Sequence, residues 1–256
     1  MKFEDDIRQK KGKEKIVVLT AYDYQIAKIL DDGPIDMILV GDSLGMVFQG
    51  QNNTKQVTMK NMIYHTKAVA RGARRIPIIT DMPVGSYHTP ESAEENARLF
   101  LEAGAHGVKV EGNKPETIKG LADSGIPVMG HVGLLPQTAE VYKVQGKDPK
   151  EAERLLQGAL EIDRSGVFTM VLECIPEKLA KRITENVNVP TIGIGAGKFC
   201  DGQVLVINDM LGLGDGFTPK FLKKYANLNK TIKEALDEFS HEVRIGAYPD
   251  DEHTYH

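Results

Sequence analysis

Polar side chains stand at the ends of several short apolar runs of this sequence, where a buried strand would finish. In chain order they are Asp42, Ser43, Asp81, Lys109, Glu111, His131 and Glu173. A buried charge is stable only when a counter-ion or a metal compensates it. If these ends converge, one lysine cannot neutralise four carboxylates. The surplus negative charge then favours a hard divalent cation, completed by substrate oxygens and water.

Residue alternation indicates which of these side chains share a face. In VKVE (108–111) the two valines lie on one face of a strand, and Lys109 and Glu111 lie on the other. The valines suit a covering layer of helices, so we expect Lys109 and Glu111 to point inward. The same alternation predicts that the side chains of Asp42 and Glu173 also point inward. For any one of these residues, an ion-pair network around Lys109 is the structural alternative.

His131 follows the fifth apolar run and has no second histidine near it in the sequence. A single histidine at a strand end is more often a hydrogen-bonded group than a metal ligand. We therefore predict that His131 contacts the substrate.

Eight runs rich in β-branched and apolar residues predict the strands that must position these side chains. They cover 16–20, 36–40, 76–80, 106–110, 126–130, 167–173, 189–195 and 203–207. Most of the intervals between them have the three- and four-residue apolar spacing of amphipathic helices.

Proline following a capping residue marks the predicted starts of three helices, because the first helical position needs no N–H donor. The pairs are Thr89-Pro90, Asp148-Pro149 and Thr218-Pro219. The first two helices are expected to stop at Gly104 and Gly166, since glycine tolerates the left-handed conformation that often ends a helix.

Eight strands alternating with helices over about 250 residues are typical of a TIM (β/α)₈ barrel, here predicted as a single domain over residues 1–256. A doubly wound open sheet is the alternative. No predicted strand is followed directly by G-x-G-x-x-G, which disfavours that alternative. In a barrel, chemistry belongs at the carboxyl ends of the strands, where the polar residues stand.

Composition excludes several classes of partner. The chain has 256 residues, 41% of them hydrophobic, and a net charge of −4, so neither nucleic acid nor an anionic membrane is expected. The basic run 10–15 is short and interrupted by Glu14, typical of a solvated approach to the first strand. The amino terminus lacks a signal segment, and no stretch approaches the ~20 apolar residues that span a bilayer.

The two cysteines, Cys174 and Cys200, have no further ligand at zinc-site spacing. We expect free thiols in a reducing compartment. Together these features predict a soluble, cytoplasmic protein.

Eight motifs in a fixed order identify a family resemblance. They are LTAYDYQIAKIL, ILVGDSLGMV, DMPVGSY, VKVEG, GHVGLLPQ, YKVQG, VLECIPEKLAKRIT and GIGAGKFCDGQVLV. The sequence resembles the ketopantoate hydroxymethyltransferase family, in register from about Lys11 to the tail YPDDEHTY. The resemblance implies a (β/α)₈ barrel and a homo-oligomer, a decamer in many members. It also implies transfer of a one-carbon unit from 5,10-methylenetetrahydrofolate to the small 2-oxoacid 3-methyl-2-oxobutanoate. The product would be 2-dehydropantoate, in the first step of pantothenate synthesis.

The same resemblance implies roles for individual residues. Asp42 of GDSLG and Asp81 of DMP would hold Mg²⁺, and Glu111 of VKVEG would complete the metal site, through water. Ser43 and Lys109 match substrate-binding positions. Glu173 of VLEC matches the proton acceptor of the family.

Two other functions fit parts of this pattern. A barrel-type C–C lyase that cleaves a metal-bound 2-oxoacid would use a similar Mg²⁺ site. Such lyases commonly use a loop cysteine as an acid, whereas Cys174 ends a strand beside Glu173. A non-catalytic, metabolite-binding barrel would not need a base such as Glu173 apart from the metal ligands.

Overall fold

The β-branched runs of the sequence form eight strands, as predicted. The computed structural model describes residues 2–214 and 218–256. The strands are β1 (Ile16–Thr20), β2 (Met37–Val40), β3 (Ile78–Asp81), β4 (Gly107–Lys109), β5 (Val128–Gly133), β6 (Thr169–Glu173), β7 (Thr191–Ile194) and β8 (Gly202–Leu205). Each overlaps its predicted run, with ends that differ by at most three residues.

The strands close into a barrel, which confirms the predicted (β/α)₈ fold. Each strand pairs in parallel with the next, and β8 pairs with β1. The helices of this unit, which ends at Val206, are α1 (Phe3–Gln9), α2 (Tyr24–Asp31), α3 (Leu44–Val47), α4 (Met59–Gly72), α5 (Pro90–Glu102), α6 (Pro115–Asp123), α7 (Pro149–Arg164) and α8 (Glu177–Asn186).

Residues from Ile207 onward form a second compact unit. It contains α9 (Ile207–Met210), α10 (Leu228–Ile245) and a short 3₁₀ helix (Asp251–His253). The prediction that one domain spans residues 1–256 stays a prediction. Within the described ranges, no helix combines the length and the apolar character needed to cross a bilayer.

Two of the three predicted helix starts are confirmed. The side chain of Thr89 caps α5 and that of Asp148 caps α7. Both helices end just before a glycine in the left-handed region, Gly104 with φ of 103° and Gly166 with φ of 99°.

The third predicted start, Thr218-Pro219, is wrong. A turn follows Pro219, and the next helix begins only at Leu228. The backbone between Pro219 and Leu228 forms a hydrogen bond outside any such helix: the N–H of Tyr225 donates to the carbonyl of Met210 at 2.8 Å. A helix starting at Pro219 would have to break this bond.

Helix α1 packs against one end of the barrel core. Ile7 belongs to the buried cluster formed by inward residues of the strands, and Phe3 packs edge-to-face on Phe168 with ring centroids 5.4 Å apart. The opposite end, where the strands finish, therefore stays available for a site. The longest connection there without helix or strand, residues 134–148, joins β5 to α7.

Candidate active site

Five neighbouring strands bring most of the predicted polar residues to the carboxyl end of the barrel. Asp81 and Lys109 end β3 and β4 and are partners in the strand register. Glu173 ends β6, in register with Gly133 of β5. We define the carboxylate cluster as Asp42, Asp81, Glu111 and Glu173, together with the cations Lys109 and His131.

Lys109 and Asp81 form a buried ion pair at the centre of this cluster. The Lys109 ammonium lies 2.9 Å from Asp81 Oδ1, and both side chains are at least 94% buried. The other carboxylate oxygen of Asp81 accepts the backbone N–H of Asp42 at 3.0 Å. Burial lowers the pKa of Lys109, but the carboxylates around it outweigh burial and raise that pKa above its usual value. Lys109 therefore stays charged.

Asp42 carries the surplus negative charge. Burial, and then the charge of Asp81, raise the pKa of Asp42 to about 8, although Lys109 lowers it. Glu111 raises it further. A carboxyl group with a pKa of about 8 is mostly protonated at pH 7, because Lys109 alone does not compensate the carboxylates around it.

Gln137 connects two of these carboxylates and was missed by sequence reasoning. Its side-chain amide donates to Asp42 Oδ2 at 2.8 Å, and its backbone N–H donates to Glu111 Oε1 at 2.9 Å. The same amide also donates to the carbonyl of Met82, and the hydroxyl of Tyr87 donates to Gln137 Oε1. Only the presence of Gln137 in the motif GLLPQ could have drawn attention to it.

His131 lies between Glu111 and Glu173. Its Nε2 is 3.1 Å from Glu173 Oε2, and its Nδ1 is 3.6 Å from Glu111 Oε2. Within the described residues neither ring nitrogen makes a well-aligned hydrogen bond. Burial and Lys109 lower the pKa of His131, but the two carboxylates outweigh them and raise it to about 9. His131 is then a cation at neutral pH.

The backbone around Glu173 is tightly constrained. A Cβ on Gly133, whose φ is 110°, would lie 2.1 Å from the carbonyl oxygen of Glu173, so only glycine fits there. Cys174 is the one non-glycine among the described residues with positive φ, at 47°. Such strain is typical of functional sites. Burial raises the pKa of the Cys174 thiol to about 11, so the thiol stays protonated.

Ser43 lies at the edge of the cluster, half-buried. Its hydroxyl is 2.7 Å from the hydroxyl of Tyr22, a second residue that sequence reasoning did not select. Burial raises the pKa of Tyr22 above its usual value, so this hydroxyl keeps its proton. The pair can present a neutral hydroxyl group to a substrate.

The cluster fits a divalent cation by charge. With all four carboxyl groups deprotonated, four negative charges face the two cations Lys109 and His131, and the difference of two charges equals that of one Mg²⁺ ion. Among the residues that the structure describes, no three His, Cys, Asp or Glu side chains form a ready-made metal cage. Mg²⁺ does not need one, because it binds through one or two carboxylates plus water and substrate oxygens. The candidate ligands Asp42 and Asp81 are in direct contact, through the backbone N–H of Asp42 and Asp81 Oδ2.

The sequence profile described as ketopantoate hydroxymethyltransferase matches residues 2–251. The chain belongs to the ketopantoate hydroxymethyltransferase family. A 3-methyl-2-oxobutanoate hydroxymethyltransferase from Syntrophomonas wolfei is 52% identical over 254 residues, covering 96% of this chain and 92% of the relative. One from Thermotoga maritima is 52% identical over 257 residues, covering 98% and 95%. Membership in the ketopantoate hydroxymethyltransferase family makes the chain an enzyme that transfers hydroxymethyl groups.

Solved structures of other enzymes share the barrel. Phosphonopyruvate hydrolase in complex with oxalate and Mg²⁺ aligns with a TM-score of 0.65 at 12% identity, over 99% of this chain and 93% of that chain. The 2,3-dimethylmalate lyase of the PEP mutase/isocitrate lyase superfamily aligns with a TM-score of 0.62 at 13% identity, over 100% and 92%. At such identities the likeness shows the fold alone. Membership in the ketopantoate hydroxymethyltransferase family rests on the sequence relatives.

Proposed function

We propose that this enzyme transfers a hydroxymethyl group to 3-methyl-2-oxobutanoate, with 5,10-methylenetetrahydrofolate as the one-carbon donor. The product is 2-dehydropantoate, in the first step of pantothenate synthesis. The observation that carries the proposal is a cluster with surplus negative charge around Lys109, in which Glu173 lies apart from Asp42 and Asp81. Relatives named for this reaction support it over nearly the whole chain.

The charged residues divide into a binding group and a base. Asp42 and Asp81 would hold Mg²⁺, with Glu111 binding through water. When bound, the ion would polarise the 2-oxo group and make the C3–H bond more acidic. The Lys109 ammonium stabilises the negative charge that develops on the 2-oxo oxygen. The hydroxyl of Ser43 is in place to donate to the substrate carboxylate.

Glu173 is the proposed general base. Its side chain keeps 20% exposure, the largest value among the ionisable side chains of the cluster, so a substrate can reach it. The C3–H bond breaks, the proton moves to a Glu173 oxygen, and the electron pair becomes the C=C bond of the enolate. Carbon C3 then forms the new bond to the methylene carbon, and both bonds from that carbon to the folate nitrogens break. Water supplies the oxygen and the proton of the new hydroxyl group, and the two nitrogens take up the second water proton and the proton held by Glu173, which regenerates the base and releases tetrahydrofolate. His131 holds Glu173 in place and contacts the substrate from β5.

A C–C lyase is the alternative function, since enzymes with this fold include a lyase. A cysteine acid would have to donate its proton readily. The Cys174 thiol, with a pKa raised to about 11 and a place on the strained end of β6, is poorly suited to that task. The geometry therefore favours hydroxymethyl transfer.

We also propose that the enzyme is a homo-oligomer, with a decamer as the expected size from the family resemblance. The second unit supports self-association, because no residue of α10 is buried. Apolar residues at helical spacing are exposed along it: Ile232, Leu236, Phe239 and Val243. A cytoplasmic location agrees with the two free cysteines, Cys174 and Cys200.

Proton exchange without folate tests the proposed chemistry. In D₂O with Mg²⁺ and 3-methyl-2-oxobutanoate, the wild-type enzyme should exchange the C3 proton, followed by proton NMR. Glu173→Gln removes basicity but not size, so exchange should slow by on the order of 10²–10⁴ while Mg²⁺ binding stays near normal. Asp42→Asn should lose both exchange and Mg²⁺ binding.

Glu185→Gln, an exposed acid on α8, is the matched control and should exchange like the wild type. Exchange that persists in Glu173→Gln would assign the base to another group. A wild type that binds the oxoacid and Mg²⁺ but does not exchange would overturn stepwise enolisation.

A further inference from the structure

A cavity of about 610 Å³ lies beside the carboxylate cluster, between the end of β5, the connection that follows it, and α7. His131 lines this cavity and also contacts Glu173. His131 therefore connects the cavity to the proposed base. A five-carbon oxoacid would fill only a small part of this volume, which lies within the range of sites for much larger organic ligands.

The inner walls of the cavity are apolar. They include Val132, Leu134, Leu135, Leu155 and Ile162. Walls of this kind favour the faces of a flat ring system, because their burial removes apolar surface from water.

The rim of the cavity is cationic although the whole chain carries a net charge of −4. Lys143 and Arg154 line it, with Glu140 as the only acid among its lining residues. In the part of the chain that the structure describes, neither Lys143 nor Arg154 forms an ion pair. Two exposed, unpaired cations next to an apolar cavity favour a ligand with an anionic tail.

Gly158 keeps the α7 wall of the cavity open. It lies four residues after Arg154, on the same helix face, and both line the cavity. A Cβ on Gly158 would contact only Asn113, at 3.8 Å, so a small side chain is sterically tolerated. Glycine inside a helix is less favourable than alanine. A role in keeping the cavity free would explain why this cost is accepted.

We infer that this cavity binds the carrier of the one-carbon unit. The ring system lies against the apolar walls, with the one-carbon group directed past His131 toward Glu173, and the carboxylate tail meets Lys143 and Arg154. Under the proposed function, on which this inference rests, the carrier is 5,10-methylenetetrahydrofolate, whose pterin ring and glutamate tail match these two halves of the cavity.

Variants of Gly158 test the site by filling it. Tetrahydrofolate binding, measured by calorimetry, should weaken on the order of tenfold or more in Gly158→Leu and less in Gly158→Ala. Folate-free exchange of the substrate C3 proton should continue in both variants, because it uses the carboxylate cluster alone. Continued exchange also shows that the barrel has folded. Wild-type tetrahydrofolate affinity in an exchanging Gly158→Leu enzyme would overturn the assignment.

Charge variants give an independent test. Arg154→Gln and Lys143→Gln should each raise the dissociation constant of tetrahydrofolate about 2–5-fold, and the loss should grow when the tail carries additional glutamates. Lys150→Gln, an exposed lysine on the same helix outside the cavity, is the matched control and should bind like the wild type. Equal affinities in all three variants would contradict the cationic rim as the tail site.

The two hypotheses fail in different experiments. If the wild type binds tetrahydrofolate but never exchanges the C3 proton, the proposed enolisation is wrong. If exchange and turnover occur and the cavity variants keep normal folate affinity, only the location is wrong.

Discussion

Two buried aspartates at opposite ends of the barrel have opposite surroundings. Asp201 precedes β8 and accepts the backbone N–H groups of Thr191 at 2.9 Å and Gly12 at 3.1 Å. Asp201 also forms an ion pair with Lys11, whose ammonium lies 3.1 Å from Asp201 Oδ2. Asp42 follows β2, shares the positive charge of Lys109 with Asp81, and has a pKa raised to about 8.

This difference distinguishes a residue that stabilises the fold, Asp201, from one that serves the proposed chemistry, Asp42. Asp201 has donors for its charge, so folding places it in a compensated site that joins the amino-terminal segment to β7 and β8. Asp42 is held in position by Gln137 but lacks sufficient positive charge. Folding alone does not favour such a site, and the proposed Mg²⁺ ion would supply the missing positive charge.

The largest expected effect is the loss of metal binding in Asp42→Asn and Asp81→Asn. Each should abolish activity, because each removes a proposed Mg²⁺ ligand. The loss of Mg²⁺ affinity should exceed the roughly 10–100-fold that follows from removing an outer-shell partner. Calorimetric titration with Mg²⁺ measures it, with Asp201→Asn as the matched substitution that should leave affinity unchanged. Normal affinity in both cluster variants would refute the metal assignment.

A smaller effect on metal binding is expected from Gln137→Leu, which removes the amide that orients Asp42. Mg²⁺ affinity should fall by roughly 10–100-fold. Tyr87→Phe removes only the hydroxyl that donates to Gln137, so its effect should be smaller and in the same direction. If Gln137→Leu is folded by circular dichroism and binds Mg²⁺ normally, Gln137 has no positioning role.

Stability should change in opposite directions at the two aspartates. Without metal, Asp201→Asn should lower the free energy of unfolding by about 1–3 kcal/mol, because it weakens a buried hydrogen-bond network. Asp42→Asn should raise the melting temperature of the metal-free protein at pH 8, since it removes a poorly compensated charge. Thermal unfolding with a chelator present measures both. A lower melting temperature for Asp42→Asn would contradict the idea of charge crowding.

The last comparison concerns how the stability of the metal-free protein depends on pH. The folded pKa of Asp42 is raised to about 8 from an unfolded value of roughly 3.9, so the folded state holds the extra proton in this range. Stability should therefore fall as pH rises from about 4 to about 8. The contribution of His131, whose pKa is raised to about 9, is present below roughly 6.5 and is lost as pH rises through 9.

Saturating Mg²⁺ should reverse this trend, because the ion binds the deprotonated form of Asp42. Chemical unfolding at several pH values, with and without Mg²⁺, tests it. In Asp42→Asn the decline between about pH 4 and 6.5 should become shallower, since the raised pKa of Asp42 is removed and the contribution of His131 is lost only at higher pH. An unchanged slope in Asp42→Asn would assign the effect to other groups.

Local patterns in the sequence were sufficient for the fold and for most candidate site residues. β-Branched runs predicted all eight strands, and capping at Thr89 and Asp148 predicted two helix starts. Strand-end chemistry selected the cluster, because parallel strands of a closed barrel finish at the same end. Thr218-Pro219 failed because the same local signal was overridden by backbone bonds to residues near Met210.

Tertiary structure decided which charges are compensated. Lys11, in a basic run predicted to be solvated, instead pairs with Asp201, 190 residues away. Gln137 reaches Asp42 across 95 residues. The sequence determined which residue types stand at the strand ends, since alternation and capping act over a few neighbours. Partners distant in the chain meet only when the barrel closes, and that closure decides which buried carboxylate is compensated and which is left to the proposed metal.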